Sequence, residues 1–375
     1  MIDSTQLVSS YSRRLDGVRT EMERQGVDAL VLSLGADLPW LTGYQAMPLE
    51  RLTALVVPKD SIPTLVVPIL EVPRVTVIDS IFNLRPWKEF EDPHDLVSGL
   101  ISSSRTVGIS DRTWAVSLLK LQTRSKASFE PASKITRALR SIKDPLEIEI
   151  LTQAALRTDR VAQALLSGEI KMIGRTELEV SHEISDRLLR EGLNRVNFSI
   201  VGSGANSASP HHEPGSRIIG PNEAVVCDFG GQFQLEGSAG YCSDTTRTVV
   251  TGEMPERFTE LYSILKTAQQ RQLSSVKQGI SCQALDQVGR SHIEECGYGD
   301  YFIHRTGHGI GIEEHEEPYI VEGNLDQIQK GQAFSIEPGI YISNLYGARI
   351  EDIVIATEQG CEVLNNSDRS LHFVT

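Results

Sequence analysis

Apolar positions recur at helical spacing through Leu15, Val18 and Met22 and stop at Gly26, which predicts an amphipathic helix ending there. Beyond it, DALVLSL (28–34) reads as a buried strand, and LTALVVP and TLVVP flank KDSIP as a hairpin. The helical pattern of HDLVSGLISSS leads into a further strand, TVGIS. Residues 1–135 are therefore read as a small α/β domain. The stretch 136–150 reads as linker and the start of a long helix, with Asp144 as its cap, Pro145 in its first turn and Glu147 close behind. A second amphipathic helix starts at Thr176, where Glu179 completes a capping box and Val180, Ile184 and Leu188 give the buried face.

Residues 151–375 are read as one larger domain, and the chain as α+β. AVVCDF and TTRTVV are short β-branched runs, the first stopped by Gly230-Gly231, so two strands joined by a loop are predicted. Two helices follow, at 255–276 and 282–296, and two strands close the chain, AFSIEPGIYI and GARIEDIVIA. In the last run, alternation puts Arg349, Glu351 and Ile353 on one face and Ile350, Asp352 and Val354 on the other, so Arg349 and Glu351 point together.

Composition narrows the function. At 375 residues the chain is long enough for two domains. The formal net charge of -14, with no basic run longer than Arg13-Arg14, argues against nucleic acid. The amino terminus is polar and no segment approaches the about 18 apolar residues of a membrane span, so a cytoplasmic protein with no membrane contact is expected. Five cysteines without CxxC spacing indicate neither a disulfide framework nor a zinc knuckle. In the first domain the loop GADLPWLTGYQAMPLER, with Trp40 and Tyr44, is read as an exposed lid or subunit contact.

The chemistry lies in the second half. Asp228 and Asp244 sit at the inner ends of their strands, where a buried carboxylate is costly unless a positive group meets it. No lysine lies between them, and a divalent cation meets the need. His211 and His212 occupy a polar loop just before this hairpin. His304 and His308 have i, i+4 spacing, but Gly307, Gly309 and Gly311 predict an irregular segment with close backbone approach rather than a helix. Glu337 and Glu351 each lie inside an apolar run, Glu337 just before a Pro-Gly bend. Four carboxylates and one imidazole suit a dinuclear site with ions on the order of 3.5 to 4 Å apart, able to bridge a water and hold it as a hydroxide nucleophile. Such oxygen-rich coordination favours Mn²⁺, with Co²⁺, Fe²⁺ or Zn²⁺ as alternatives.

Five motifs in order, PHH (210–212), CDFGG with SDTTRT, HRTGHGIG, SIEPGIY and ARIEDIV, resemble those of the pita-bread metallopeptidases, and within them the prolidase and aminopeptidase P branch. The resemblance covers about residues 140–365, and the first domain resembles the creatinase-type domain these enzymes carry. It implies a pita-bread catalytic domain that hydrolyses Xaa-Pro bonds by metal-bridged hydroxide attack. The substrate would be a dipeptide, as in a prolidase, or a longer peptide, as in an aminopeptidase P; a non-catalytic pita-bread binding protein is a third reading. The implied ligands are Asp228 on one ion, His308 and Glu337 on the other, and Asp244 and Glu351 bridging. His211 and His315 would contact the substrate and stabilise the tetrahedral intermediate, and His304 would line the pocket. Arg349 would pair with a substrate carboxylate, and Glu337 would carry the proton from water to the proline nitrogen. His212 is the alternative to His211, which the family pattern favours because it directly follows the proline. A homodimer is implied, with the Trp40 loop over a neighbour's pocket. One departure stands out: the family's two aspartates are usually closer together, whereas QFQLEGSAGYC separates them here by 16 positions.

Overall fold

The helix anticipated from Leu15, Val18 and Met22 is α1, Ser4–Gln25; all three residues are buried, and Gly26 follows in the left-handed region at φ 71°. The structure, a computed structural model, describes residues 4–375. They divide into two units, one comprising the residues up to Arg140 with Leu235–Gly240, the other Ser141–Gln234 with Tyr241–Thr375.

In the first unit, β1 (Ala29–Leu32), α2 (Asp37–Thr42), β2 (Ala54–Pro58), β3 (Thr64–Pro68), β4 (Asn83–Trp87), α3 (Pro93–Leu100), β5 (Thr106–Ile109), α4 (Ala115–Arg124) and β6 (Ser128–Pro131) precede α5 (Ser133–Ser141). The sheet runs β4-β3-β2-β1-β5-β6. Pairing is antiparallel along β1, β2 and β3, so KDSIP is a hairpin turn, and parallel at β1–β5, β5–β6 and β3–β4. The Trp40 segment corrects the sequence reading of an exposed lid. It folds into α2 with Trp40 only 2% exposed beneath the Arg14 guanidinium, 5.6 Å from the ring, and Tyr44 is buried with its Oη 3.1 Å from Glu71 Oε2. The tip of the long hairpin loop belongs to this unit as well, where Gly237 O accepts a 2.8 Å hydrogen bond from Tyr11 Oη.

The second unit opens with α6 (Pro145–Leu166) and α7 (Glu177–Arg190), both headed by complete capping boxes, Asp144 with Glu147 and Thr176 with Glu179. Strands β7 (Arg195–Ser203), β8 (Ala224–Gln234), β9 (Gly240–Cys242) and β10 (Thr245–Val250) follow, then helices α8 (Glu256–Ser275) and α9 (Cys282–Glu295). The remaining strands are β11 (Gly307–Gly309), β12 (Glu316–Ile320), β13 (Ala333–Ile336), β14 (Gly339–Ile342), β15 (Tyr346–Arg349), β16 (Asp352–Ala356), β17 (Cys361–Val363) and β18 (His372–Phe373). They make a sheet β18-β10-β8-β7 with β9 beside β8, a sheet β12-β11-β13-β16-β17, and the pair β14-β15. Val180, Ile184 and Leu188 of α7 pack with Val161 and Leu165 of α6 against Val225, Cys227 and Phe229 of β8.

Each closing run divides in two, the first at the Pro-Gly bend anticipated after Glu337 and the second where no break was anticipated. AFSIEPGIYI divides into β13 and β14 at Glu337-Pro338, and GARIEDIVIA into β15 and β16 at Ile350-Glu351. Ile336 pairs with Asp352 in one sheet and Gly339 with Arg349 in the other, so the breaks lie opposite each other. A proline cannot donate to a ladder, which is one reason the pairing stops at Pro338. The two glutamates thus sit at one corner where the chain changes sheets.

Candidate active site

Asp228, Asp244, His308, Glu337 and Glu351 line one cavity of about 710 Å³, together with His211, His304, His315 and Arg349. β8 and β10 bring the aspartates: Asp228 stands opposite Thr246 in the ladder, and Asp244 immediately precedes β10. β11 brings His308. Its flanking glycines are dictated by close packing, since a Cβ on Gly307 would fall 1.9 Å from Ser335 O and one on Gly309 2.2 Å from Glu317 O. The segment is a short strand with a register shift at His308/Gly309 rather than the irregular stretch anticipated.

Hydrogen bonds orient the candidate ligand atoms. His308 Nδ1 donates to Gly309 O at 3.1 Å, which leaves Nε2 as a lone pair 3.3 Å from Glu337 Oε1 and 3.8 Å from Asp244 Oδ2. Ser335 Oγ accepts from His308 N at 3.0 Å and donates to Glu337 Oε1 at 3.1 Å. Thr246 Oγ1 donates to Glu351 Oε2 at 2.7 Å and accepts from Arg349 Nε at 3.0 Å. The Glu351 backbone is pinned by Thr246 O and by Arg247 Nη1. Asp352, on the opposite face as alternation required, is bound instead by the fully buried Arg247 and by Gln269 and Arg369.

Burial and mutual repulsion dominate the electrostatics. Desolvation, reinforced by the neighbouring acids, raises the Asp244 and Glu351 carboxyls well above the usual range and lifts Glu337 to about 7. Burial, followed by the charge of His315, lowers His308 to about 3, so its imidazole is neutral at pH 7.

Two placements differ from expectation, those of Arg349 and His212, while His304 lines the cavity as expected. Arg349, read as the partner of a substrate carboxylate, is already engaged: its Nη2 lies 2.5 Å from Asp228 Oδ2, and Nη1 donates to Tyr341 Oη at 2.8 Å and Pro210 O at 3.3 Å. His212 is not among the lining residues; its Nε2 lies 2.8 Å from Glu177 Oε2 on α7, an acid otherwise fully buried. His304 lines the cavity with both nitrogens occupied. Nδ1 donates to Arg305 O at 2.7 Å, so Nε2 accepts from Tyr341 Oη at 3.0 Å. Sequence reading had singled out neither Tyr341 nor Arg305. Tyr341 stands two residues from Gly339 on the strand paired with β15, but its bond to Arg349 depends on a register no local pattern encodes.

Comparison with known proteins now bears on the geometry. Residues 149–358 match the family described as metallopeptidase family M24, and residues 14–142 match the creatinase/prolidase N-terminal domain. A probable dipeptidase PepE of Mycobacterium tuberculosis is 38% identical over 365 residues, 96% of each chain. The chain belongs to metallopeptidase family M24. Among solved structures, dipeptidase PepE from Mycobacterium ulcerans superposes with a TM-score of 0.89 at 38% identity, covering 98% of both chains. The prolidase from Thermococcus sibiricus gives 0.88 at 35% identity, covering 96% of this chain and 98% of its own. This M24 metallopeptidase therefore has the pita-bread catalytic domain, preceded by the creatinase-type domain, that the motifs implied. No helix among the described residues is long and apolar enough to cross a membrane.

The family is dependent on two metal ions, and the residues present fit them. Ligand atoms of Asp244, His308 and Glu351 all lie within 4.8 Å of one another. Asp228 Oδ1 and Glu351 Oε1 are buried with no hydrogen-bond partner among the described residues, a costly state that a cation relieves.

Proposed function

We propose that this peptidase hydrolyses the Xaa-Pro bond of dipeptides, as a prolidase does. The observation that carries the reading is the cavity that gathers Asp228, Asp244, Glu337 and Glu351, two of them with orphaned oxygens, around the neutral imidazole of His308. Relatives named as dipeptidase and prolidase support it. Asp228, Asp244, His308, Glu337 and Glu351 would hold the two ions, Mn²⁺ by the oxygen-rich donor set. Bound there, such ions supply Lewis acidity toward a carbonyl oxygen and lower the pKa of water.

The chain's own residues do the rest. Glu337, oriented by Ser335, takes the proton of the attacking water and passes it to the proline nitrogen, which has no hydrogen of its own. His211 and His315 donate hydrogen bonds to the oxygen that becomes negative as the carbonyl turns tetrahedral. Arg349 holds Asp228 rather than substrate, and through Tyr341 it fixes His304 in the wall.

The test is hydrolysis of an Xaa-Pro dipeptide beside an Xaa-Pro-Yaa tripeptide, using chelated protein with and without Mn²⁺. Metal-dependent cleavage of the dipeptide supports a prolidase. Preference for the tripeptide moves the enzyme to the aminopeptidase P branch, and cleavage of neither overturns the proposal.

A further inference from the structure

With Arg349 committed to Asp228, the cavity has one other arginine in its lining, Arg305. Its guanidinium lies 4.4 Å over the Tyr319 ring, and its Nη2 is 3.3 Å from His315 Nδ1. No carboxylate oxygen pairs with it among the described residues, whereas Asp228, Asp244, Glu337 and Glu351 share a single arginine. Its backbone is braced from α9: Arg290 Nη1 and Nη2 donate to Phe302 O and His304 O at 2.9 and 2.8 Å, and Asp286 Oδ1 accepts from Thr306 N at 3.1 Å. A half-buried cation held on an aromatic face and lacking its own anion is built to receive one.

We propose that Arg305, seated on Tyr319, reads the free carboxylate at the carboxyl end of the substrate and so selects dipeptides. The inference rests on the prolidase reading above and names the residue that makes it a dipeptidase. Electrostatics orient the substrate: a terminal carboxylate, ionised at pH 7 with a pKa of about 3.5, is drawn to the guanidinium in the wall that has no carboxylate partner among the described residues. Distance agrees. The His315 ring stands between, its centroid 4.0 Å from that of His308, with Arg305 in contact on its Nδ1. A dipeptide places its carboxylate one residue, about 3.5 Å, beyond the scissile carbonyl, so both can be met across one imidazole. A longer peptide carries an uncharged amide at that point, and Arg305 would remain without an anion.

The experiment measures kcat/KM of the Mn²⁺-loaded protein on an Xaa-Pro dipeptide, the same dipeptide as its carboxyl-terminal amide, and an Xaa-Pro-Yaa tripeptide. Wild type is compared with Arg305→Lys and Arg305→Ala, and circular dichroism establishes that each variant is folded. Wild type is expected to favour the free acid over the amide by about 10- to 100-fold, the range of a hydrogen bond to a charged group. In Arg305→Ala that ratio falls toward 1, chiefly through KM, and Arg305→Lys lies between. Inhibition by free proline, relative to prolinamide, should weaken in parallel. Should wild type prefer the acid and Arg305→Ala keep the same ratio, the assignment is overturned while the prolidase reading survives. Should wild type cleave no Xaa-Pro dipeptide, the prolidase reading fails and takes this inference with it.

Discussion

Glu351 and Asp352 are adjacent carboxylic acids, both buried, yet the fold uses them in opposite ways. Asp352 is satisfied by Arg247, Gln269 and Arg369, whereas Glu351 keeps Oε1 unpartnered inside the cavity. Glu351→Gln should therefore leave a folded protein whose hydrolysis falls by at least about 100-fold, since it strikes a ligand rather than the outer groups whose loss costs 10- to 100-fold. Asp352→Asn should instead lower the urea midpoint, because Arg247 would be left as an uncompensated buried charge at a cost of about 3 kcal/mol. Wild-type activity in Glu351→Gln would refute the ligand assignment. The same logic separates the paired histidines. His211→Ala should reduce kcat about 100-fold by removing an oxyanion donor, while His212→Ala should act mainly on stability, through the hydrogen bond it makes to buried Glu177.

At the scale of elements, local chemistry was legible and register was not. Both capping boxes could be read because their residues lie within one turn, and Thr176→Ala is expected to cost about 1 kcal/mol in urea unfolding with hydrolysis unchanged. Alternation separated Glu351 from Asp352 because the period of two survives the short break at Ile350. The bend after Glu337 was legible in its Pro-Gly pair, but the opposite break at Ile350-Glu351 was not, since it arises from β13 pairing with β16 and β14 with β15 across the chain. Trp40 was misplaced for a related reason. An aromatic in a polar loop reads as exposed, whereas the whole of α2 is buried and Arg14 approaches the Trp40 ring from α1. Arg349 was given the right face, but its bond to Asp228 was not legible, because it joins positions 121 residues apart.

For the whole molecule, a formal charge of -14 includes five acids lining one cavity, and the crowding of Asp228, Asp244, Glu337 and Glu351 among them couples metal binding to pH. In the ion-free protein Glu337 holds its proton to about 7, and Asp244 and Glu351 are likewise raised, whereas an unfolded chain releases these protons near pH ~4. Folding thus takes up protons between those limits, and the cluster's contribution to stability declines as pH rises through that window. His304, lowered to about 3, works the other way: the unfolded chain binds its proton more readily, so its contribution grows with pH up to about 6.5. Absolute melting temperatures mix these opposed effects. The difference between metal-loaded and chelated protein removes what both share, leaving the carboxyl protons that the ions must displace; His308 is already neutral and offers no such competition. The gap in Tm between Mn²⁺-loaded and chelated protein, at fixed free Mn²⁺, should therefore widen from pH 5.5 to 7.5, because tighter binding stabilises the folded state by mass action. Titration of the acid released on Mn²⁺ addition should show protons liberated at pH 6 and fewer at pH 8. A Tm gap constant across this range, with no proton release, would mean that the cluster is already ionised without metal, and that Asp228–Arg349 and the buried hydrogen bonds neutralise it unaided.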